Sequence, residues 1–291
     1  MSSIRVIPSG QSLGADIEGV NIAGPLTDEQ VLEISDAWHQ HLVLRFRNQR
    51  LTDPQLEAFS ARFGLLDRAP VYKLGTRVDV ESEFVTVISN VKQNGVPIGD
   101  LGDGEAVWHT DMSYNEAPPM ASALHALEIP ETGGETGFAN MYEAYQSLPS
   151  SLKQRIATLT CRHDASRNSA GELRGNHRDI TDPREAPGAI HPLVIRHPAT
   201  GRPALFLGRR RNAYIIGLSL EESEALLNEL WAVATREELS WYQNWALYDT
   251  VMWDNRCTMH RRNAFDGSQR RIMHRTQIAG ARPSAEFLNA A

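Results

Sequence analysis

Val107-Trp108-His109-Thr110-Asp111 sets a histidine and an aspartate two residues apart. On an extended chain side chains alternate, so both would face one side and could hold one edge of a metal ion. Isolated His-x-Asp pairs are mostly surface or hydrogen-bonding residues, and the reading needs a third ligand. His260 is the best candidate, because it follows the apolar run Thr250-Val251-Met252-Trp253 and precedes a strongly basic segment. Two imidazoles and one carboxylate leave three positions of an octahedral ion open, the arrangement of non-haem Fe(II) oxygenases. The same trio with a water also describes a catalytic zinc site. On residues alone a zinc-dependent hydrolase and a non-catalytic jelly-roll binding protein therefore stay open.

Around this stretch the chain reads as many short strands with a few flanking helices. Strands are expected at Ile4–Pro8, Ala15–Val20, Leu42–Phe46, Phe84–Ile88, Ala121–Glu128, Leu193–Arg196 and Ala204–Leu207, and near Tyr242–Trp245, Thr250–Trp253 and Arg271–Ile278. Thr27 with Gln30, and Ser219 with Glu222, are capping-box pairs opening amphipathic helices. Further helices are expected over Asp53–Phe63, Met141–Ser147 and Ser150–Leu159, and an irregular stretch runs from Pro70 to about Ala106. The fold class is mainly β with flanking helices, a β-sandwich or jelly roll. No repeat or low-complexity linker divides the 291 residues, so one domain over residues 1–291 is expected.

A formal net charge of −7 gives no reason to expect nucleic acid or an anionic membrane as partner. No window is long and apolar enough to span a bilayer, and no signal peptide opens the chain. Cys161 and Cys257 cannot make a disulfide framework, which fits a reducing cytoplasm. Assembly as a homo-oligomer is expected.

Downstream lie Ala117-Pro118-Pro119, Gly133-Gly134-Glu135-Thr136, Trp253-Asp254-Asn255-Arg256 and Arg270-Arg271-Ile272-Met273-His274-Arg275. With Trp108-His109-Thr110-Asp111 these closely resemble the taurine dioxygenase and 2,4-dichlorophenoxyacetate dioxygenase family, over almost the whole chain. The resemblance implies a double-stranded β-helix (a cupin-like jelly roll) with the metal at its mouth. It implies Fe(II) held by His109, Asp111 and His260, 2-oxoglutarate as cosubstrate, and dioxygen as oxidant. Arg271 and the Thr136 hydroxyl would grip the distal carboxylate of 2-oxoglutarate, and Arg275 an anionic group on the substrate. An arginine suits each task, since its planar fork pairs with carboxylate and stays charged. Arg271 and Arg275, four apart, share a face of a regular strand, while Arg270 and His274 point the other way.

Tyr72, Glu105 and Met112 are further substrate contacts expected by resemblance. In taurine dioxygenase a histidine that contacts the sulfonate stands where this chain has Ala69, and an asparagine stands where it has Glu105. The implied substrate is therefore a small anionic organic molecule other than taurine: a sulfonate, sulfate ester, aryloxyalkanoate or other carboxylate. Among Arg209, Arg210 and Arg211 a solvated turn is the ordinary reading, and a second anion contact the alternative.

Overall fold

The computed structural model describes residues 4–69, 82–104, 106–175, 177–208 and 211–286. Two antiparallel-dominated sheets carry the site. Their strands in chain order are β1 (Arg5–Pro8), β2 (Ala15–Glu18), β3 (Val43–Phe46), β4 (Thr86–Ser89), β5 (Asp100–Leu101), β6 (Ala106–His109), β7 (Ala121–Glu128), β8 (Thr136–Asn140), β9 (Ser240–Gln243), β10 (Thr250–Asp254), β11 (Thr258–Arg262) and β12 (Ile272–Ile278). The larger sheet runs β1-β2-β3-β10-β7-β12-β4-β5 and the smaller β9-β8-β11-β6. Pairs β2–β3 and β4–β5 are parallel. This mostly β plan with helices outside is the jelly roll expected from the sequence.

The helices are α1 (Asp28–His41), α2 (Asp53–Ala61), α3 (Met141–Gln146), α4 (Ser150–Ile156) and α5 (Leu220–Ala234). Both anticipated capping boxes form: Thr27 Oγ1 accepts from Gln30 N, and Ser219 Oγ from Glu222 N, each at 3.2 Å. Leu226, Leu227, Leu230 and Val233 of α5 are buried as its periodicity requires.

Period-two alternation on the three central strands decides what reaches the interior. On β10, Val251 and Trp253 join the core between the sheets, whereas Met252 joins the core under α1 and α2. On β7, Leu124 and Ala126 face the first core and Ala121 and Ala123 the second. On β12 the same alternation sends Met273 into the first core and Ile278 into the second. Outward-facing His274 meets Asp53 at the start of α2, Nδ1 to Oδ1, 2.5 Å, as its opposition to the arginines implies.

Element boundaries shift by one to three residues, α4 ending at Ile156 rather than Leu159, and some elements went unforeseen. The stretch read as irregular holds a two-residue hairpin, Lys92–Gln93 with Val96–Pro97, turning at Asn94-Gly95 with both φ positive. β11 was hidden because Met259 is its one apolar residue among Thr258, His260, Arg261 and Arg262. Among the described residues no helix is long and apolar enough to cross a membrane.

Behind the site, His125 on β7 is buried, with Nδ1 against Thr250 Oγ1 at 2.9 Å. Burial, with the nearby His274, lowers its pKa to about 4 from 6.5. The folded chain refuses a proton that the unfolded chain accepts, so this stability is complete above pH 6.5 and erodes as pH falls toward 4. The linkage amounts to about 3 kcal/mol. Urea unfolding of His125→Gln between pH 7 and 4 should show a shallower loss of stability than wild type; equal slopes would place the titrating group elsewhere.

Candidate active site

His109 and His260 are direct cross-strand partners, since β6 and β11 pair in the register His260↔His109. Their ring centroids lie 4.2 Å apart, and both are buried. Asp111 does not share the strand with His109: β6 ends at His109, and Asp111 sits in the turn beyond. The turn, and not the strand alternation expected from the sequence, brings the carboxylate round to the histidines. The turn is anchored where Thr110 N donates to the Gly208 carbonyl, 3.1 Å. Gly208 has φ +66°, and a Cβ there would stand 2.1 Å from His163 Nδ1, so only glycine can come this close.

Asp111 Oδ1 is 3.6 Å from His109 Nε2 and 3.8 Å from His260 Nε2. Ligand atoms about 2.1 Å from a shared ion stand roughly 3.0–3.4 Å apart, so a few tenths of an ångström of closure completes the cage. His109 Nδ1 lies 2.7 Å from the Val107 carbonyl, which can only accept. Nδ1 therefore carries the proton and Nε2 presents its lone pair to the metal position. Burial pushes the Asp111 carboxyl up, yet Arg275 and the two histidines outweigh it and hold the group well below the usual carboxylate range. It is ionised, as a ligand must be.

A cavity of about 40 Å³ adjoins the trio, walled from both sheets by Leu124, Thr136, Trp253, Arg262, Arg271 and Arg275 among others. Arg271 is 1% exposed, and its Nε and Nη1 make no hydrogen bond. Burial, with Arg262 nearby, lowers its pKa to about 9, leaving it a cation at neutral pH. A desolvated cation without a partner is costly, and the partner it calls for is an anion. Thr136 Oγ1 accepts from Trp245 Nε1 at 3.0 Å, which leaves its own proton to donate elsewhere. Leu101 is common to this cavity and to a cleft of about 850 Å³, so a diacid entering there must displace side chains at that wall.

Arg275 Nη1 donates to both oxygens of Asp111, at 3.2 and 3.1 Å. Arg270 is paired on the surface with Glu128, and Arg211 lies near Asp179 at the surface, 3.9 Å. Tyr72, Glu105, Arg209 and Arg210 lie outside the described residues. Met112 follows Asp111 with φ +46° but does not line the cavity. Trp253 walls the site, its ring 4.9 Å from His260, whereas Trp108 packs on Tyr242. Sequence reading missed Arg262, although it stands two residues past His260 on one strand, a period-two signal.

A second buried trio, His197, Asp254 and Cys257, has metal-like composition. Its atoms are already committed. His197 Nδ1 accepts from the backbone N–H groups of Ala199 and Thr200, so Nε2 carries the proton and donates it to Asp254 at 3.0 Å. Arg256 holds both Asp254 oxygens, at 2.8 and 2.6 Å. Burial keeps the Cys257 thiol protonated. The cluster is a structural knot.

The family described as "Taurine catabolism dioxygenase TauD, TfdA family" matches residues 5–277. The chain belongs to this dioxygenase family. The TauD/TfdA chain is 34% identical to the (S)-phenoxypropionate/alpha-ketoglutarate-dioxygenase of Sphingobium herbicidovorans, with 94% of each chain covered. It is 33% identical to pentalenolactone F synthase of Streptomyces avermitilis, covering 91% of this chain and 90% of that one. Among solved structures it resembles AAD-2 in complex with Mn(II) and N-oxalylglycine, with a TM-score of 0.79 and 32% identity over 98% of this chain and 100% of the other. A TauD/TfdA site built on this trio should bind one divalent ion. Titration with Mn(II) or Fe(II) should show that binding lost in His109→Ala, Asp111→Ala and His260→Ala with folding intact. Retention in all three would sink the ligand assignment.

Proposed function

We propose that the chain is an Fe(II)- and 2-oxoglutarate-dependent dioxygenase that hydroxylates a small anionic organic substrate, using one catalytic domain. The observation that carries this is the buried Arg271 guanidinium, whose Nε and Nη1 make no hydrogen bond, in the wall of a cavity that His109 and His260 of the metal-like trio also line. A zinc hydrolase would have no use for that cation. The donor set suits Fe(II): two neutral imidazoles, one ionised carboxylate, and space beside them. The relative crystallised with Mn(II) and N-oxalylglycine supports the same reading, since that compound is 2-oxoglutarate with an NH in place of a methylene.

Fe(II) chelated by 2-oxoglutarate supplies dioxygen activation coupled to release of succinate and CO2 and to insertion of one oxygen into a C–H bond. The chain's own residues do the placing. His109, Asp111 and His260 would hold the metal, and His109 and His260 also line the cavity. Arg271 and the Thr136 hydroxyl bind the distal carboxylate, which fixes the direction of the oxo acid. Trp253, Leu124 and Ile88 keep that space apolar and exclude water. Arg275 lies beside Asp111 at the cavity wall, and its Nε makes no hydrogen bond, so it can receive a substrate anion.

Arg271→Ala should weaken 2-oxoglutarate binding by about 2–5 kcal/mol, the range for truncating one partner of a buried charge pair. Thr136→Val should cost less, about 1–3 kcal/mol, because a neutral hydroxyl is lost and the arginine stays. Anaerobic titration of the visible charge-transfer absorbance measures both. The reverse order would mean the roles are wrongly divided.

The substrate class follows from Arg275 together with the family comparison at Ala69. Ala69, held by its backbone N–H to the Glu83 carbonyl at 2.8 Å, offers no side-chain donor where taurine dioxygenase has an imidazole. Succinate release should be faster with an aryloxyalkanoate, an alkyl sulfate or a longer sulfonate than with taurine. Arg275→Leu should depress that turnover far more than 2-oxoglutarate affinity. Taurine as the best of a broad panel, or neutral analogues matching the acids, would overturn this assignment of the pocket.

A further inference from the structure

Behind Asp111 runs a hydrogen-bond chain that no ligand assignment uses. Trp253 Nε1 donates to Asn255 Oδ1 at 2.8 Å, Asn255 Nδ2 donates to Ser122 Oγ at 3.2 Å, and Ser122 Oγ donates to Asp111 Oδ2 at 2.9 Å. Trp253, Asn255 and Ser122 are each 1% exposed or less. The proton direction is fixed from both ends. An indole nitrogen can only donate, which turns the Asn255 oxygen toward it and its NH2 toward Ser122. The carboxylate can only accept, so the Ser122 hydroxyl, having received from Asn255, delivers its own proton to Asp111. Sheet register supplies the alignment: Ser122 on β7 is the Cα partner of Trp253 on β10 and of Gln277 on β12. Gln277 Nε2 also approaches Asp111 Oδ2, at 3.4 Å.

The two oxygens of Asp111 are thereby made unequal. Oδ2 faces Ser122 and Gln277, whereas Oδ1 faces the two Nε2 atoms of the histidines; Arg275 Nη1 is shared by both oxygens. We infer that Trp253, Asn255 and Ser122 are positioning residues that orient Asp111 so that Oδ1 alone serves the metal and Oδ2 is withheld. A carboxylate free to rotate could bind through both oxygens and occupy a position that the oxo acid or dioxygen needs. Trp253 acts on a second ligand too, since its ring packs against His260. This inference rests on the metal reading proposed above.

Two substitutions test it on the full-length protein, without relying on turnover. Ser122→Ala deletes the final donor and little volume. Asn255→Asp keeps an acceptor for the indole but accepts from Ser122, which turns the hydroxyl proton away from Asp111. Fe(II) affinity is read anaerobically by chelator competition, and the charge-transfer band is then recorded after adding 2-oxoglutarate. Each variant should lose about 10–100-fold in Fe(II) affinity, the usual effect of removing a partner of a metal ligand, and shift the band. The double variant should be no worse than Ser122→Ala alone, because both act through one hydroxyl. Folded variants with wild-type affinity and band, even with lowered thermal stability, would reduce the chain to packing and overturn the inference. Wild type that binds Fe(II) but gives no band would count against 2-oxoglutarate alone, and the Fe(II) affinities would still decide the role of Ser122. Wild type without Fe(II) affinity would remove both readings.

Discussion

A carboxylate taken out of water must be compensated, and Asp111 is met by side chains from four strands at once. Ser122 comes from β7, Arg275 and Gln277 from β12, and the two imidazoles from β6 and β11. Removing water makes each of these interactions stronger and makes each missing one expensive. The larger sheet must therefore keep β10, β7 and β12 in one register, and the smaller must hold β6 against β11. The helices under the larger sheet and the apolar residues between the two sheets serve that alignment.

Composition does not separate the two buried His/Asp clusters, but occupancy does. At His197 the tautomer is set by two backbone N–H groups, and Asp254 spends both oxygens on Arg256. At His109 a carbonyl sets the opposite tautomer, leaving Nε2 for the metal position. Arg256 is neutralised by Asp254, and Arg275 likewise pairs with Asp111, but beside the second cluster Arg271 lines a cavity with two nitrogens that make no hydrogen bond. The first cluster is finished by the chain, and the second requires something from outside it.

Much of this was legible in the sequence wherever the signal is local. The capping boxes at Thr27 and Ser219 depend on residues three apart, and the shared face of Arg271 and Arg275 on residues four apart. The motif names His109, Asp111 and His260, which the fold brings together, but a turn and not a strand delivers Asp111. Ser122, Asn255 and Gln277 could not be singled out, since an ordinary serine, asparagine or glutamine acquires its role only from cross-strand register. The Thr52 capping box, also local, was simply overlooked.

The pairing of His109 with His260 also bears on the order of events in the life of the protein. The two residues come from distant parts of the chain, and β6 lies at the edge of its sheet, held there by β11. An unfinished or partly unfolded chain offers an ion single imidazoles and no chelate. On the proposed ligand set, a metal ion would therefore be held by both imidazoles only after the late strand has docked. Bound there, it would stabilise the pairing of the edge strand, so that loading would double as a seal on the completed fold.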